Sequence, residues 1–138
     1  MRCFVINLDR ETGRLAWMTM AFRRMGLAFE RLSAIDKTAL DDDIINRLVL
    51  GDHHNWSPGE IACFISHIAV WRRIAEGSDA HAVVLEDDVY FSRDAPVFLS
   101  DDAWIPAGVE LIKLETTLNP VLVGRRGRKI RAHRLLPL

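Results

Sequence analysis

The stretch His81-Ala-Val-Val-Leu-Glu-Asp-Asp-Val-Tyr-Phe-Ser-Arg93 decides the fold of this chain. It opens with a short apolar run, Ala82 to Leu85, whose β-branched valines predict a central strand buried on both faces of a parallel sheet. Three carboxylates, Glu86, Asp87 and Asp88, follow this run directly. If the backbone stays extended, Glu86 and Asp88 point to one face of the sheet and Asp87 to the other.

These three acids predict a ligand site at the end of the strand. Adjacent carboxylates repel one another and are costly to desolvate, so a cation is expected beside them. A hard divalent ion, Mg²⁺ or Mn²⁺, suits carboxylate ligands and is completed by substrate phosphate oxygens. The carboxyl ends of strands are also where open α/β sheets bind ligands. The alternative is a solvated strand end that caps the next helix or pairs with arginines.

Length and composition predict one domain without a membrane span. At 138 residues the chain is long enough for a single core, so we expect one domain over residues 1–138. No apolar run approaches the length of a membrane span, and the opening residues lack a signal-peptide pattern. Cys3 and Cys63 match no metal-ligand spacing and lie in apolar segments, which predicts buried, reduced thiols as in a cytosolic protein.

Charge is unevenly distributed, although the net charge is only −1. Basic residues crowd the last stretch: Arg125, Arg126, Arg128, Lys129, Arg131 and Arg134. Such a tail can attract nucleic acid, anionic lipid or a phosphorylated substrate. Aromatic residues, which serve as stacking platforms for bases, do not alternate with these arginines. We therefore expect no nucleic-acid partner.

The beginning of the chain predicts a strand, a helix and a second strand. Arg2 to Leu8 is a compact apolar run of the kind found in buried strands. The helix that follows is expected to be capped by Asp9 or Thr12 and to stop at Gly26. A second strand is predicted from Leu27 to Ser33, which completes a βαβ unit.

The turn between the first strand and its helix is a candidate nucleotide site. Asn7, Asp9 and Arg14 surround a turn of the kind that holds nucleotides in α/β folds. Gly13 stands alone there, so neither the dinucleotide fingerprint nor the P-loop is present. The alternative for Asn7 and Arg14 is turn chemistry and a surface ion pair.

The middle of the chain predicts two helices separated by a loop. Residues 38–50 are expected to form a helix whose first turn carries acids, and His53 and His54 in the following loop are expected to be solvated. Ser57-Pro-Gly-Glu60 predicts a capping box for a central helix that continues to near Gly77.

This central helix is apolar around much of its girth. His67 lies within it among apolar residues, and we predict a core histidine bonded to a carbonyl or a nearby acid. A direct catalytic or substrate-binding role for His67 is the alternative.

The last third of the chain predicts small elements. A short helix should begin near Asp94, and the alternating pattern of Val109 to Glu115 predicts a strand. Val121 to Val123 and Ile130 to Leu136, joined by the turn Gly124 to Gly127, are typical of a hairpin.

An ordered set of motifs resembles glycosyltransferase family 25, the lipooligosaccharide β-galactosyltransferases, to which the galactosyltransferase domains of collagen-modifying enzymes are similar. No single motif is specific, but they occur in the family's order over nearly the whole chain. The motifs are Ile6-Asn7-Leu8-Asp9-Arg10 with Arg14, Ser57-Pro-Gly-Glu-Ile-Ala-Cys63, Ser66-His67 with Trp71, Leu85-Glu-Asp-Asp-Val89 and Lys113-Leu114-Glu115-Thr116.

The resemblance implies an α/β, GT-A-like nucleotide-sugar-binding fold with a mainly parallel central sheet flanked by helices. It implies metal-dependent, inverting transfer of galactose or a similar hexose from a UDP-sugar to a hydroxyl of a glycolipid or oligosaccharide, in lipopolysaccharide or lipooligosaccharide biosynthesis. Asp88 would ligate Mn²⁺ or Mg²⁺, and Glu86 would support the metal or the ribose. The metal would stabilise the departing UDP.

The resemblance also implies roles for residues around the acidic motif. Asn7, Asp9, Arg14, Glu86 and Asp87 would contribute to donor binding. Ser57, Glu60, Ser66, His67, Lys113 and Glu115 would support the site.

The chain departs from the family pattern at two places. Asp36-Lys37 stands where the family has Asp-Gly, and the sequence ends at Leu138 while family members continue into the acceptor side. The resemblance is therefore to the donor half, a C-terminally incomplete fold in which we name no catalytic base.

The resemblance also leads to expectations about oligomeric state and location. An apolar surface left by the absence of the acceptor side favours a homodimer. The expected location is the cytoplasm, at the inner face of the membrane through peripheral contact.

Two other functions fit parts of the sequence. A catalytically inactive relative acting as a nucleotide-sugar-binding or interaction module would suit the short chain and its basic tail. A phosphate-transfer domain resembling a response regulator would use the acid cluster, but the lysine and hydroxyl partners expected for it are missing.

Overall fold

The computed structural model describes residues 1–41, 43, 45, 47, 56–115, 122–130 and 132–136. They form two compact units, Met1–Asp102 and Ala103–Leu138. The predicted single domain over residues 1–138 stays a prediction. The loop that carries His53 and His54 lies outside the described residues. Among the described residues, no helix has both the length and the apolar character that crossing a bilayer requires.

The first unit is built on a three-stranded parallel sheet. Strand β1 (Arg2–Asn7) lies between β2 (Glu30–Ser33) and β3 (Ala82–Glu86) and pairs with both in parallel. The predicted first and third strands are confirmed, and the second is shorter than predicted. Within the described residues, the middle strand is β1 and β3 lies at an edge, so the acidic motif does not follow the central strand as expected.

Helices pack on both faces of this sheet. Helix α1 (Thr12–Met25) covers one face, where Met18 and Phe22 form a buried cluster with Cys3 and Val5 of β1. Helix α2 (Pro58–Ala75) covers the other face through Val70. Because side chains of a strand alternate between faces, β1 fills both clusters and is apolar at nearly every position. This explains why its sequence reads as a continuous apolar run.

The residues predicted to cap the helices do so at the end of α1 and at the start of α2, but not at the start of α1. Gly26 ends α1 in the left-handed conformation, with a φ of 68°, as predicted. Ser57 and Glu60 form the predicted capping box at the start of α2. The start of α1 differs, because its N-cap is Glu11 and no side chain caps the helix there. Asp9 is instead bonded to Arg31 and Ser33, so it is not available for capping.

Helix α2 buries a single face rather than most of its girth. Its buried residues are Ile61, Ala62, Ser66 and Val70. The exposed fraction of Phe64 and of Trp71 is 50%. The sheet covers one side of the helix within the described residues, and apolar composition alone could not indicate which side.

The remaining elements are short. Helix α3 (Ala95–Leu99) begins directly after Asp94, as predicted, and a 3₁₀ turn covers Lys37–Ala39. Asp43, Ile45 and Arg47 are the helical residues that the structure describes in the predicted helix over residues 38–50.

In the second unit, two predictions were wrong. Val109 to Glu115 forms no strand: Leu111 and Leu114 are 86% and 50% exposed, so neither leucine is buried against the described residues. The hairpin consists of β4 (Arg128–Ile130) and β5 (His133–Leu135), so its turn follows Ile130 rather than lying at Gly124 to Gly127.

Candidate active site

The carboxyl ends of the three parallel strands meet at one edge of the sheet. Asn7 ends β1 opposite Ser33 of β2, and Ile6 stands opposite Glu86, the last residue of β3. Beside them lies an open cavity of about 280 Å³. Its polar lining residues are Arg10, Arg14, Lys37, Cys63, Ser66, Glu86 and Asp87. This cavity, which we call the cleft, lies where α/β sheets bind ligands.

Asn7 is the centre of the hydrogen bonds below the cleft. Its side chain is 1% exposed and donates through Nδ2 to Asp87 Oδ2 at 2.6 Å and to the carbonyl of Glu11 at 3.1 Å. Its Oδ1 accepts from Arg31 Nε at 2.8 Å. An amide suits this position because it offers donors and an acceptor at once. Asn7 therefore ties all three strand ends to the start of α1.

Asp87 lines the cleft but lies mostly inside this network. It is 7% exposed and accepts from Asn7 and from Arg14 Nη1, which is 3.2 Å from Oδ1. The same Arg14 nitrogen lies 3.8 Å from Asp88 Oδ2, and the hydrogen bond with Asp87 raises the pKa of Arg14. The expected alternation of faces fails here, because β3 ends at Glu86 and the next two residues form a turn.

Asp9 lies beside the network and contacts β2. Its Oδ1 accepts from Arg31 Nη2 at 2.5 Å and from Ser33 Oγ at 2.8 Å. These hydrogen bonds, that of Arg31 first, hold the pKa of Asp9 below its ordinary value. Sequence reasoning missed Arg31 and Ser33. The available signal was their position at the end of a strand expected to lie beside the first.

Glu86 faces helix α2 rather than the other two acids of the motif. Its Oε1 lies 3.7 Å from Cys63 Sγ and 3.3 Å from His67 Nε2. Burial, followed by the charge of Glu86, raises the pKa of the Cys63 thiol. The nearby acid predicted for His67 is thus confirmed. The His67 side chain is 25% exposed, so the prediction of a core histidine was wrong.

The two cysteines differ in exposure. Cys3 is buried in the α1 cluster as predicted, whereas Cys63 is exposed, contrary to the prediction. The reason is the orientation of α2: its buried face runs through Ala62 and Ser66, so the intervening Cys63 lies to one side of it.

The predicted supporting residues of α2 have two different roles. Ser66 Oγ donates to the carbonyl of Ala62 at 2.7 Å and accepts from the amide of Ile35 at 2.9 Å. Ser57 and Glu60 close the first turn of the helix, with Ser57 N donating to Glu60 Oε2 at 2.8 Å. Ser66 therefore connects the middle of α2 to the segment after β2, whereas Ser57 and Glu60 stabilise the start of the helix itself.

Lys113 and Glu115 lie in the second unit. Their side chains pair with each other, with 3.0 Å between Lys113 Nζ and Glu115 Oε1. The pair is exposed, and the strand predicted to carry it is not formed. Their supporting role stays a prediction.

The fold and the cleft define an α/β protein whose candidate ligand site lies at the carboxyl ends of parallel strands. The chain belongs to glycosyltransferase family 25: the family model described as "Glycosyltransferase family 25 (LPS biosynthesis protein)" matches residues 1–130. The resemblance drawn from the ordered motifs is thereby confirmed.

Bacterial and insect proteins are similar to this chain. The lacto-N-neotetraose biosynthesis glycosyltransferase LgtB of Neisseria meningitidis serogroup B is 30% identical over 145 residues, covering 100% of this chain and 53% of that protein. LgtE of the same strain is 28% identical over 134 residues, covering 89% and 46%. A glycosyltransferase 25 family member of Anopheles gambiae is 36% identical over 111 residues, covering 71% and 19%. The chain thus spans about half the length of the bacterial relatives.

Proposed function

We propose that this chain binds the donor of a family 25 hexosyltransferase with a GT-A-like fold, whose donor half it represents. The reaction is the inverting transfer of galactose, or a similar hexose, from a UDP-sugar to a hydroxyl of a glycolipid or oligosaccharide. Its setting is lipopolysaccharide or lipooligosaccharide biosynthesis in the cytoplasm, at the inner face of the membrane. The family and the biosynthetic role in the names of LgtB and LgtE support this proposal.

One observation carries the proposal: the acidic motif is divided between structural and accessible carboxylates. Asp87 accepts hydrogen bonds from Asn7 and Arg14 inside the protein, and so fixes the turn after β3. The side chain of Asp88, next in the chain, is 58% exposed. A rigid turn that presents an accessible carboxylate beside the carboxyl ends of parallel strands suits a metal–nucleotide ligand.

The residues present fit a hard divalent cation at Asp88. Mg²⁺ and Mn²⁺ need one or two carboxylates, with the remaining positions taken by water and phosphate oxygens. Asp88 would hold the ion, with Glu86 supporting it or the ribose. When bound, Mn²⁺ or Mg²⁺ would stabilise the charge of the departing UDP.

Other residues of the cleft have complementary roles. Arg10, Arg14 and Lys37 line it and supply positive charge beside a diphosphate. Asn7 holds the strand ends that receive the nucleotide, and Asp9 orients Arg31 at the same edge. We assign these residues to binding and positioning, and assign no catalytic base.

Calorimetric titration of the chain with UDP and UDP-galactose, with and without Mn²⁺, tests this function. We expect binding that requires Mn²⁺ and is lost in Asp88→Ala. Asp79→Ala is the matched control, because Asp79 is a partly exposed acid paired with Arg2 at the opposite ends of β1 and β3. Metal-independent binding, or equal losses in both variants, would contradict the proposal.

A nucleotide-sugar-binding or interaction module without turnover is the second candidate. The observation that favours it is the polar lining of the cleft, which offers groups for binding while we assign no catalytic base among the described residues. Incubation of the chain with UDP-galactose, Mn²⁺ and a lipooligosaccharide acceptor distinguishes an active hexosyltransferase from a binding module without turnover. Galactose transfer excludes the module, whereas binding without transfer supports it.

Homodimerisation, which we propose as a further property, is measured by sedimentation of the same sample.

A further inference from the structure

Three potential metal ligands converge beside the cleft, apart from Asp88. Cys63 and His67 lie four residues apart on α2, and therefore on one face of the helix. Glu86 ends β3 and turns its carboxylate toward them. One ligand atom from each residue, namely Sγ, an imidazole nitrogen and a carboxylate oxygen, lies within 4.8 Å of the other two. We propose that Cys63, His67 and Glu86 form a binding site for a zinc-class divalent cation.

The two separations that involve Glu86 suit tetrahedral coordination. With usual zinc–ligand distances, the sulfur–oxygen edge of a tetrahedron is about 3.6 Å and the nitrogen–oxygen edge about 3.4 Å. The corresponding distances to Glu86 Oε1 are 3.7 Å from Cys63 Sγ and 3.3 Å from His67 Nε2. The second distance is longer than a good N–H···O hydrogen bond, which is about 2.9 Å. Both pairs are within hydrogen-bonding distance in the absence of a metal, and the same spacing accommodates a shared cation.

The donor set selects the class of cation. Thiolate and imidazole suit borderline ions such as Zn²⁺, whereas Mn²⁺ and Mg²⁺ prefer oxygen ligands. One thiolate and one carboxylate balance the charge of a divalent ion, and the neutral imidazole adds none. Binding releases the thiol proton to solvent because the thiolate is the ligand. Three protein ligands leave the fourth position to water.

The supporting structure is rigid, and the ligands are accessible. Ser66, between the two helical ligands, fixes α2 through its bonds to Ala62 and Ile35. Cys63 is exposed, and the Glu86 side chain is 51% exposed, so an ion can enter from solvent. A bound cation would join α2 to the end of β3. This goes beyond the proposed function, because it requires neither Asp88 nor a nucleotide, and it shares only Glu86 with the donor site proposed above.

Cobalt is a suitable probe, because Co²⁺ replaces Zn²⁺ in tetrahedral sites and its bond to a thiolate absorbs in the near ultraviolet. We expect titration of the chain with Co²⁺ alone to produce this charge-transfer band at one equivalent, and Zn²⁺ to abolish it. Cys63→Ser should lose the band. His67→Gln should weaken Zn²⁺ binding by at least ~10-fold, since even changes outside the coordination sphere cost ~10–100-fold.

Two controls separate this site from other effects. His81→Gln removes a histidine whose Nδ1 lies 3.1 Å from Asp102 Oδ2, a pair without a thiol, and should leave the band unchanged. Asp88→Ala should bind Co²⁺ normally, so failure of the proposed function and failure of this inference are distinguishable. Circular dichroism verifies that each variant is folded.

Alkylation of the unmodified chain gives an independent readout that needs no variant. Stoichiometric Zn²⁺ should slow the reaction of Cys63 with iodoacetamide, as located by peptide mass. Absence of the band, a band that persists in Cys63→Ser, or alkylation unaffected by Zn²⁺ would each overturn the inference.

Discussion

Replacing Asp87 with asparagine tests the buried network below the cleft with almost no change of shape. The carboxylate is 7% exposed and accepts from Asn7 at 2.6 Å and from Arg14 at 3.2 Å. An amide oxygen can still accept from Asn7, but the amide nitrogen then meets the donors of Arg14. The variant therefore loses the charge assistance of one hydrogen bond and the whole of the other.

The cost follows from the two contacts. A hydrogen bond to a charged group contributes roughly 1 kcal/mol more than a neutral one. The Arg14 side chain is 50% exposed, so solvent screens its ion pair with Asp87, and this pair adds little to the loss. We therefore expect a loss of ~1 kcal/mol in the free energy of unfolding. For a chain of this size, that corresponds to a decrease of about 3–5 °C in Tm.

Equilibrium urea denaturation at neutral pH measures this loss. Asp88→Asn is the matched control, because it makes the same chemical change at the next residue. The Asp88 side chain is 58% exposed, and its Oδ2 lies 3.8 Å from Arg14 Nη1. We expect it to change stability by less than about 0.5 kcal/mol. If the two variants were equally stable, or if Asp87→Asn matched the unmodified chain, the assignment of Asp87 to a structural role would be wrong.

Three further predictions concern the core, the helix cap and the cleft thiol. Met18→Ala removes a side chain that is 0% exposed and should cost about 2–5 kcal/mol by denaturation, whereas Met20→Ala, at a residue 39% exposed, should cost far less. Ser57→Ala should cost ~1 kcal/mol by loss of the capping box, and Ser57→Gly only a few tenths; equal losses would contradict capping. Glu86→Gln should lower the raised pKa of Cys63 and move the pH profile of its alkylation, measured with EDTA, to lower pH; an unchanged profile would contradict a contribution from Glu86.

Local signals in the sequence predicted the elements that depend on neighbouring residues. The capping box of α2 and the left-handed Gly26 each involve groups a few residues apart. The apolar run of β1 was equally informative, because a strand covered by helices on both faces needs apolar side chains at nearly every position.

What the sequence could not provide were the contacts made across the sheet. The Asp87 network joins residues about eighty positions apart, so the burial of this acid and the exposure of Asp88 are invisible to a pattern of three adjacent carboxylates. The same holds for Cys63, whose position beside Glu86 depends on the rotation of α2 against the sheet. The strand predicted over Val109 to Glu115 failed for a related reason: alternation predicts a strand only where a surface buries its apolar half.

The central claim is that the accessible acid after β3 holds the cation of a sugar nucleotide. A crystal structure of the chain with UDP and Mn²⁺, phased to locate manganese by its anomalous signal, tests it most directly. We predict a manganese peak about 2 Å from a carboxylate oxygen of Asp88 and in contact with the diphosphate. A nucleotide bound elsewhere on the chain, or manganese on the diphosphate without contact to Asp88, would contradict it.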